Sequence, residues 1–237
     1  MRGVFVFFAC MVMSLSASGQ VGDGPGSRRP ADTVSMRQVE LFGVDRWFYV
    51  KEIDAEVFAR IYGRSYKHDC TVPLSDLRYL RALHYDADGR ILVGEMVCNK
   101  AISDDVAAVL RALFEARYPI ERMVLIDEYD ADDERSMAAD NSSSFNFRYI
   151  SGTNKLSNHS YGMAVDINPL YNPYVRERNG VTIVEPACGE PYADRDRDFV
   201  YKIERGDICY REFVKRGFVW GGDWTSLKDY QHFEKRR

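Results

Sequence analysis

No C-x-x-C pair occurs in this sequence, which argues against a cysteine-built zinc site. Positive charge is not in excess either. Thirty-two Lys and Arg stand against 36 Asp and Glu for a formal net charge of −4, and the basic residues are scattered, so neither nucleic acid nor another polyanion is the expected partner. Long apolar runs are missing apart from Val4 to Leu15, which is shorter than the roughly 20 residues of a spanning helix. Arg2 before that run and Ser16-Ala17-Ser18-Gly19 after it fit a secretory signal over residues 1–19. A lipoprotein cut before Cys10 fits less well behind Phe7-Phe8-Ala9. Export without stable membrane insertion is therefore expected. The chain shows no internal repeat and no βαβ alternation, so an α+β fold is favoured over a doubly wound sheet. With 46% hydrophobic residues, one domain with a single core is the default, built as a small antiparallel sheet flanked by helices.

Removal of the signal leaves Cys70, Cys98, Cys188 and Cys209, an even number suited to an oxidising compartment. Local pairing of Cys70 with Cys98 and of Cys188 with Cys209 is favoured, although three connectivities are open and buried free thiols are the alternative. Gly, Pro, Asp and Arg dominate from Gln20 to about Ser35, and a flexible leader is expected over residues 20–45, ahead of a folded domain over 46–237. Within that domain Asp54 caps a short helix bearing Val57, Phe58 and Ile61, with Gly63 past its end. Leu77–Tyr85 and Ile91–Val97 flank Asp86-Ala87-Asp88-Gly89 as a β-hairpin. Ser103 caps a helix stopped by Pro119, Met123–Ile126 is expected as a short buried strand, and the acidic run Asp127 to Glu134 as a solvated loop. Asp207 to Arg216 is expected as a helix ending at Gly217.

Only four histidines exist, and two lie in patterned surroundings. Ser157-Asn158-His159-Ser160-Tyr161-Gly162-Met163-Ala164-Val165-Asp166-Ile167 places a histidine and an aspartate seven residues apart. Asp229-Tyr230-Gln231-His232-Phe233-Glu234 supplies a second histidine with carboxylates. Read with a period of two, Gly162, Ala164 and Asp166 share one face of a strand, and the two small side chains leave room beside the carboxylate. Three nitrogen or oxygen ligands, His159, Asp166 and His232, with an open fourth position describe a catalytic zinc site; a structural site would want four. Each residue also has a plain reading, His159 as a loop histidine and Asp166 as a turn cap. His68 and His84 sit in unpatterned surroundings.

The ordered pattern S-x-H-x-x-G-x-A-x-D-I, then W-G-G-D-W and D-x-x-H-F-E, runs from Ser157 to Glu234, and the likeness it carries covers roughly residues 141–234. It resembles the VanX/VanY-type zinc D,D-peptidases, the M-fifteen metallopeptidases, which include D-Ala-D-Ala carboxypeptidases and L-Ala-D-Glu endopeptidases. The resemblance implies a Hedgehog/DD-peptidase-like fold, Zn2+ on His159, Asp166 and His232, Asp229 as general base, Arg148 as a catalytic and substrate-binding residue, and Ser157 as a substrate-binding residue. It further implies peptidoglycan stem peptides as substrate, in the periplasm or at the cell surface. Asp229 stands where many members carry glutamate, with Asp223 and Glu234 as alternative bases. Were Asp229 to Phe233 one regular strand, Asp229 and His232 would face opposite ways, so the base must precede the strand. Carboxypeptidase action is favoured, the endopeptidase and a non-catalytic Hedgehog-like zinc module being the alternatives.

Overall fold

Short apolar stretches between turn signals give this chain five α-helices and ten β-strands over residues 24–236, the part described by a computed structural model. The expected signal and the first leader residues lie outside the described residues. β1 (Thr33–Val34) leads into α1 (Met36–Phe42), which is closed by a reciprocal capping box: Ser35 Oγ accepts from Gln38 N, and Gln38 Oε1 accepts from Ser35 N. Here the structure departs from the flexible leader expected over residues 20–45. Val34, Val39 and Trp47 are buried in one cluster with Leu83, Tyr85, Ile91 and Phe114. The three anchors show no period, which hides them in a Gly- and Pro-rich sequence.

β2 (Tyr49–Glu52), α2 (Ala55–Ile61), β3 (Leu77–Tyr85) and β4 (Ile91–Asn99) follow. Asp54 caps α2 by accepting from Val57 N at 2.9 Å. β3 and β4 are the expected hairpin, paired from Leu77↔Asn99 to Tyr85↔Ile91, in an antiparallel sheet of order β1-β4-β3-β2. α3 (Ser103–Glu115) buries Val106, Val109, Leu110 and Leu113 in the cluster that holds Leu80, Ala82 and Met96 of this sheet. Ser103 is its first helical residue and Ile102 the cap.

Met123–Ile126 does not form the expected strand. Glu95 N donates to Met123 O, but the Asn141 side chain takes both Val124 N and Val124 O, so an amide replaces the neighbouring strand. The acidic run is not wholly solvated. Asp127 is buried and accepts from Ser65 N and Oγ at 2.9 Å each, and Asp132 caps α4 (Asp133–Ala138).

β5 (Ala164–Asp166), β6 (Tyr174–Arg178), β7 (Val181–Glu185), α5 (Ile208–Val214), β8 (Val219–Trp220), β9 (Lys228–Asp229) and β10 (His232–Glu234) complete the chain. They form two further antiparallel sheets, β5-β10-β8 and β7-β6-β9. The fold is α+β, with three small sheets where one was expected. Phe213 stacks on Phe233 at 4.2 Å and joins α5 to β10 within the cluster shared with α3. Cys70, Cys98, Cys188 and Cys209 are all free, contrary to the favoured pairing. Cys98 and Cys209 are buried as small apolar side chains, whereas Cys188 is exposed and Cys70 half-buried, so neither expected pair shares an environment. No helix among the described residues is long and apolar enough to cross a membrane.

Candidate metal centre and cleft

Ser157 opens the turn that carries His159. Its hydroxyl accepts from His159 N at 3.3 Å, and the 3-10 turn Asn158–Tyr161 ends at Gly162 with φ 63°. A Cβ on Gly162 would stand 2.7 Å from Asn99 N, and Asn99 N donates to Gly162 O at 2.9 Å. Glycine is needed there because the end of β4 clamps the loop. Gly162 therefore belongs to the turn, and of the expected small-residue face only Ala164 and Asp166 lie in the strand.

β10 brings in the third residue. His232 pairs directly with Asp166 across β10 and β5, which puts both side chains on one face. Asp166 is also held from its other edge, where Ser143 N donates to Asp166 O and Asp166 N to Ser143 O. His159 Nε2 lies 3.1 Å from Asp166 Oδ2 and 3.2 Å from His232 Nδ1, and His232 Nδ1 lies 3.0 Å from Asp166 Oδ1. One ligand atom from each of these buried residues falls within 4.8 Å of the others.

The remaining ring nitrogens already have partners. His159 Nδ1 donates to Ser144 O at 2.6 Å, and His232 Nε2 faces Glu234 Oε2 at 3.0 Å. Each ring thus turns one nitrogen to an outer acceptor and the other to the shared point, as metal-binding histidines do. The donor set fits a divalent ion of the zinc type, with two nitrogens and one oxygen. Burial alone would raise the Asp166 carboxyl, but His159 and His232 overcome it and hold it well below the usual carboxylate range. Burial disfavours the His232 cation, yet hydrogen bonds to Asp166 and Glu234 win and raise it to about 10.

Asp229 and His232 belong to different sheets. β9 pairs with β6, the chain turns through Tyr230 and Gln231, and β10 begins at His232. This break removes the opposite-face problem of a continuous strand. Asp229 is half-buried by area, but its Oδ1 is shut away without a hydrogen-bond partner. Burial pushes its carboxyl up to about 7; the positive charge of His232 works against this and the Asp166 charge adds to it. A Cβ on Gly221 would stand 2.5 Å from Asp229 O, so a glycine is what lets β9 lie this close.

All these side chains line one cleft of about 640 Å3, together with Arg148, Ser157, Trp224, Gln231 and Glu234. Arg148 is held by Asp133 at 2.7 Å, and its Nε has no partner. Asp223 does not line this cleft; it pairs with Arg205 at 2.7 Å. Glu234 is occupied by His232 and by Asn158 Nδ2, which makes it a brace for the histidine and a poor base. His84 is buried in β3 with Nδ1 against Ile120 O at 2.7 Å, and burial lowers it to about 4; His68 is exposed, edge-on to Tyr62.

Several contributors escape the sequence. Ser144 acts through its carbonyl, which leaves no side-chain signal, and Asp133 reaches Arg148 only through the fold. Arg176 and Arg178 also line the cleft, and the alternation Tyr174-x-Arg176-x-Arg178 is the signal that marks them.

No solved structure matches the chain. Residues 151–235 match the model of a family described as D-alanyl-D-alanine carboxypeptidase. The matched stretch contains His159, Asp166, Asp229 and His232, while Arg148 and the first sheet lie before it. Over residues 151–235 the chain is thus similar to the D-alanyl-D-alanine carboxypeptidase family, which supports the M-fifteen metallopeptidase resemblance of its motifs.

Proposed function

We propose that the protein is an exported zinc metallopeptidase that hydrolyses peptide bonds in peptidoglycan stem peptides, with D-alanyl-D-alanine carboxypeptidase action as the leading reading. The observation that carries it is the buried His159, Asp166 and His232 cluster opening into the same cleft as Asp229 and Arg148. A merely structural metal would want a fourth protein ligand and no cleft.

His159, Asp166 and His232 would hold zinc, which when bound would supply Lewis acidity to polarise a carbonyl and acidify water. Asp229 takes the proton from the attacking water and returns it to the departing amine. Asp229 lines the same cleft as His159, Asp166 and His232. Arg148, fixed by Asp133, places positive charge in the cleft for the oxygen that becomes negative during attack. Ser157 lines the cleft beside His159 and offers a hydroxyl to the substrate. Glu234 and Ser144 O keep the two imidazoles aimed. The signal-like segment over residues 1–19 supports action outside the cytoplasm, where the stem peptides are.

The test is mass spectrometry of muropeptides incubated with zinc-loaded protein, with a chelated control and an Asp229→Ala variant. Loss of a terminal D-alanine in the loaded sample, absent in both controls while the variant still binds zinc, is expected. An internal stem cut with the same controls would replace carboxypeptidase with endopeptidase. No cleavage despite bound zinc would overturn the enzymatic reading in favour of a zinc-dependent binding module.

A further inference from the structure

β6 and β7 form a hairpin that walls the cleft on the side of Asp229. Tyr174 sits opposite Asp229 in the β6–β9 register and opposite Glu185 in the β6–β7 register, and Arg176 sits opposite Ile183. Tyr174, Arg176 and Arg178 alternate along β6 and all line the cleft, as do Ile183 and Glu185 on β7. One face of the hairpin is therefore turned to the site. At about 3.4 Å per residue, Arg176 and Arg178 lie about 7 and 14 Å along the strand from the level of Asp229.

These two arginines differ from Arg148, the third arginine lining the cleft. Arg148 is held in place by an ion pair with Asp133. Arg176 and Arg178 are exposed, and neither makes an ion pair or a side-chain hydrogen bond among the described residues. They sit in a chain of net charge −4, so this positive face stands against the overall balance. An exposed arginine held in no internal contact contributes nothing visible to the fold. Its fork is free for a carboxylate.

We infer that the inner face of the β6–β7 hairpin is a recognition strip for an extended anionic peptide, with Arg176 and Arg178 binding carboxylates a few residues away from the bond that is cut. The inference deepens the proposed peptidase reading and rests on it for the position of the bond. Spacing of about 7 Å between alternate residues of β6 equals that between alternate residues of an extended peptide lying beside it. Ile183 opposite Arg176 and Tyr174 at the level of Asp229 supply apolar contact along the strip. The strip thereby favours substrates with acidic side chains over neutral ones of the same terminus, through binding and not through the chemical step.

The experiment uses the zinc-loaded full chain, an Arg176→Gln/Arg178→Gln double variant, and two peptides with alternate side chains charged or neutral, Ac-Glu-Ala-Glu-D-Ala-D-Ala and Ac-Gln-Ala-Gln-D-Ala-D-Ala. The wild-type protein is expected to favour the acidic peptide about tenfold in kcat/KM, a preference that fades with added salt. The double variant should raise KM for the acidic peptide about tenfold, leave kcat unchanged, and treat the amidated peptide as the wild-type protein does. Equal kinetics of the two proteins on both peptides, or an equal loss on both, would overturn the strip. Should neither peptide be cut, the peptidase reading fails on its own, and equilibrium binding of the same two peptides decides the strip. A preference for the acidic peptide that disappears in the variant supports it, and no preference overturns it.

Discussion

Glu234 holds His232 Nε2 at 3.0 Å, and the same carboxylate oxygen accepts from Asn158, the residue before His159. One side chain thereby fixes the direction of the β10 imidazole and ties it to the turn carrying the other. Its carboxyl is lowered, chiefly by the hydrogen bond from His232. Truncation in Glu234→Ala should weaken zinc binding by about 10–100-fold while the fold survives, because outer acceptors set ring orientation and ligand basicity. Competition against a chromophoric chelator measures this, and unchanged affinity would mean that β10 alone orients the ring.

Gly221 carries a second prediction. A methyl group on it would collide with the Asp229 carbonyl at 2.5 Å and the Asp229 Cβ at 2.8 Å, both on backbone that cannot swing aside. Gly221→Ala should push β9 away, cost about 1–3 kcal/mol as other overpacked sites do, and lower kcat at least tenfold with zinc affinity little altered. Thermal melts and steady-state kinetics on the loaded protein separate the two effects.

Asp140 should make stability fall with rising pH. It is buried, with Oδ1 accepting from Leu170 N and Oδ2 unpartnered, and burial pushes its carboxyl up to about 7 from 3.8. Between those values the folded state holds a proton that the unfolded chain has lost, so stability decreases from about pH 4 to about pH 7 and levels off above. Asp140→Asn keeps the acceptor and tolerates the φ of 53°. It should flatten that part of the profile and gain on the order of a few kcal/mol at pH 8. Melting temperature against pH for both proteins would show an unchanged slope if Asp140 were not responsible.

The thiols should separate by rate. Cys188 is exposed, Cys70 half-buried, and Cys98 and Cys209 are buried with their thiols raised by desolvation. A maleimide should label Cys188 first and Cys70 more slowly, with the other two reached only on unfolding. Mass spectrometry of the non-reduced native protein counts the labelled sites; two protected pairs would indicate disulfides instead.

Where local chemistry determined the outcome, the sequence was readable. Asp54 with Val57 and Ile61, the Asp86 to Gly89 turn, and Asp207 before Cys209 and Phe213 each place an element through a cap, a turn or a period. The metal-site candidates were legible because few side chains can do such chemistry, and His159, Asp166 and His232 indeed converge. What stayed hidden depends on partners distant in sequence. Asn141 occupies the backbone of Val124, Val34 and Trp47 find a shared cluster, and a change of sheet between Asp229 and His232 follows from pairing with β6 and β5. Cysteine counting misled for the same reason, since parity says nothing of where each thiol is buried.

His232 follows Asp166 by 66 residues and His159 by 73. A chain synthesised from its N-terminus therefore holds two members of the cluster long before the third is made. The His159, Asp166 and His232 cluster stays incomplete until residues 228–234 have been made and β10 has docked between β5 and β8. Assembly of the cluster thus waits for β10, and a chain interrupted before that segment lacks its third member.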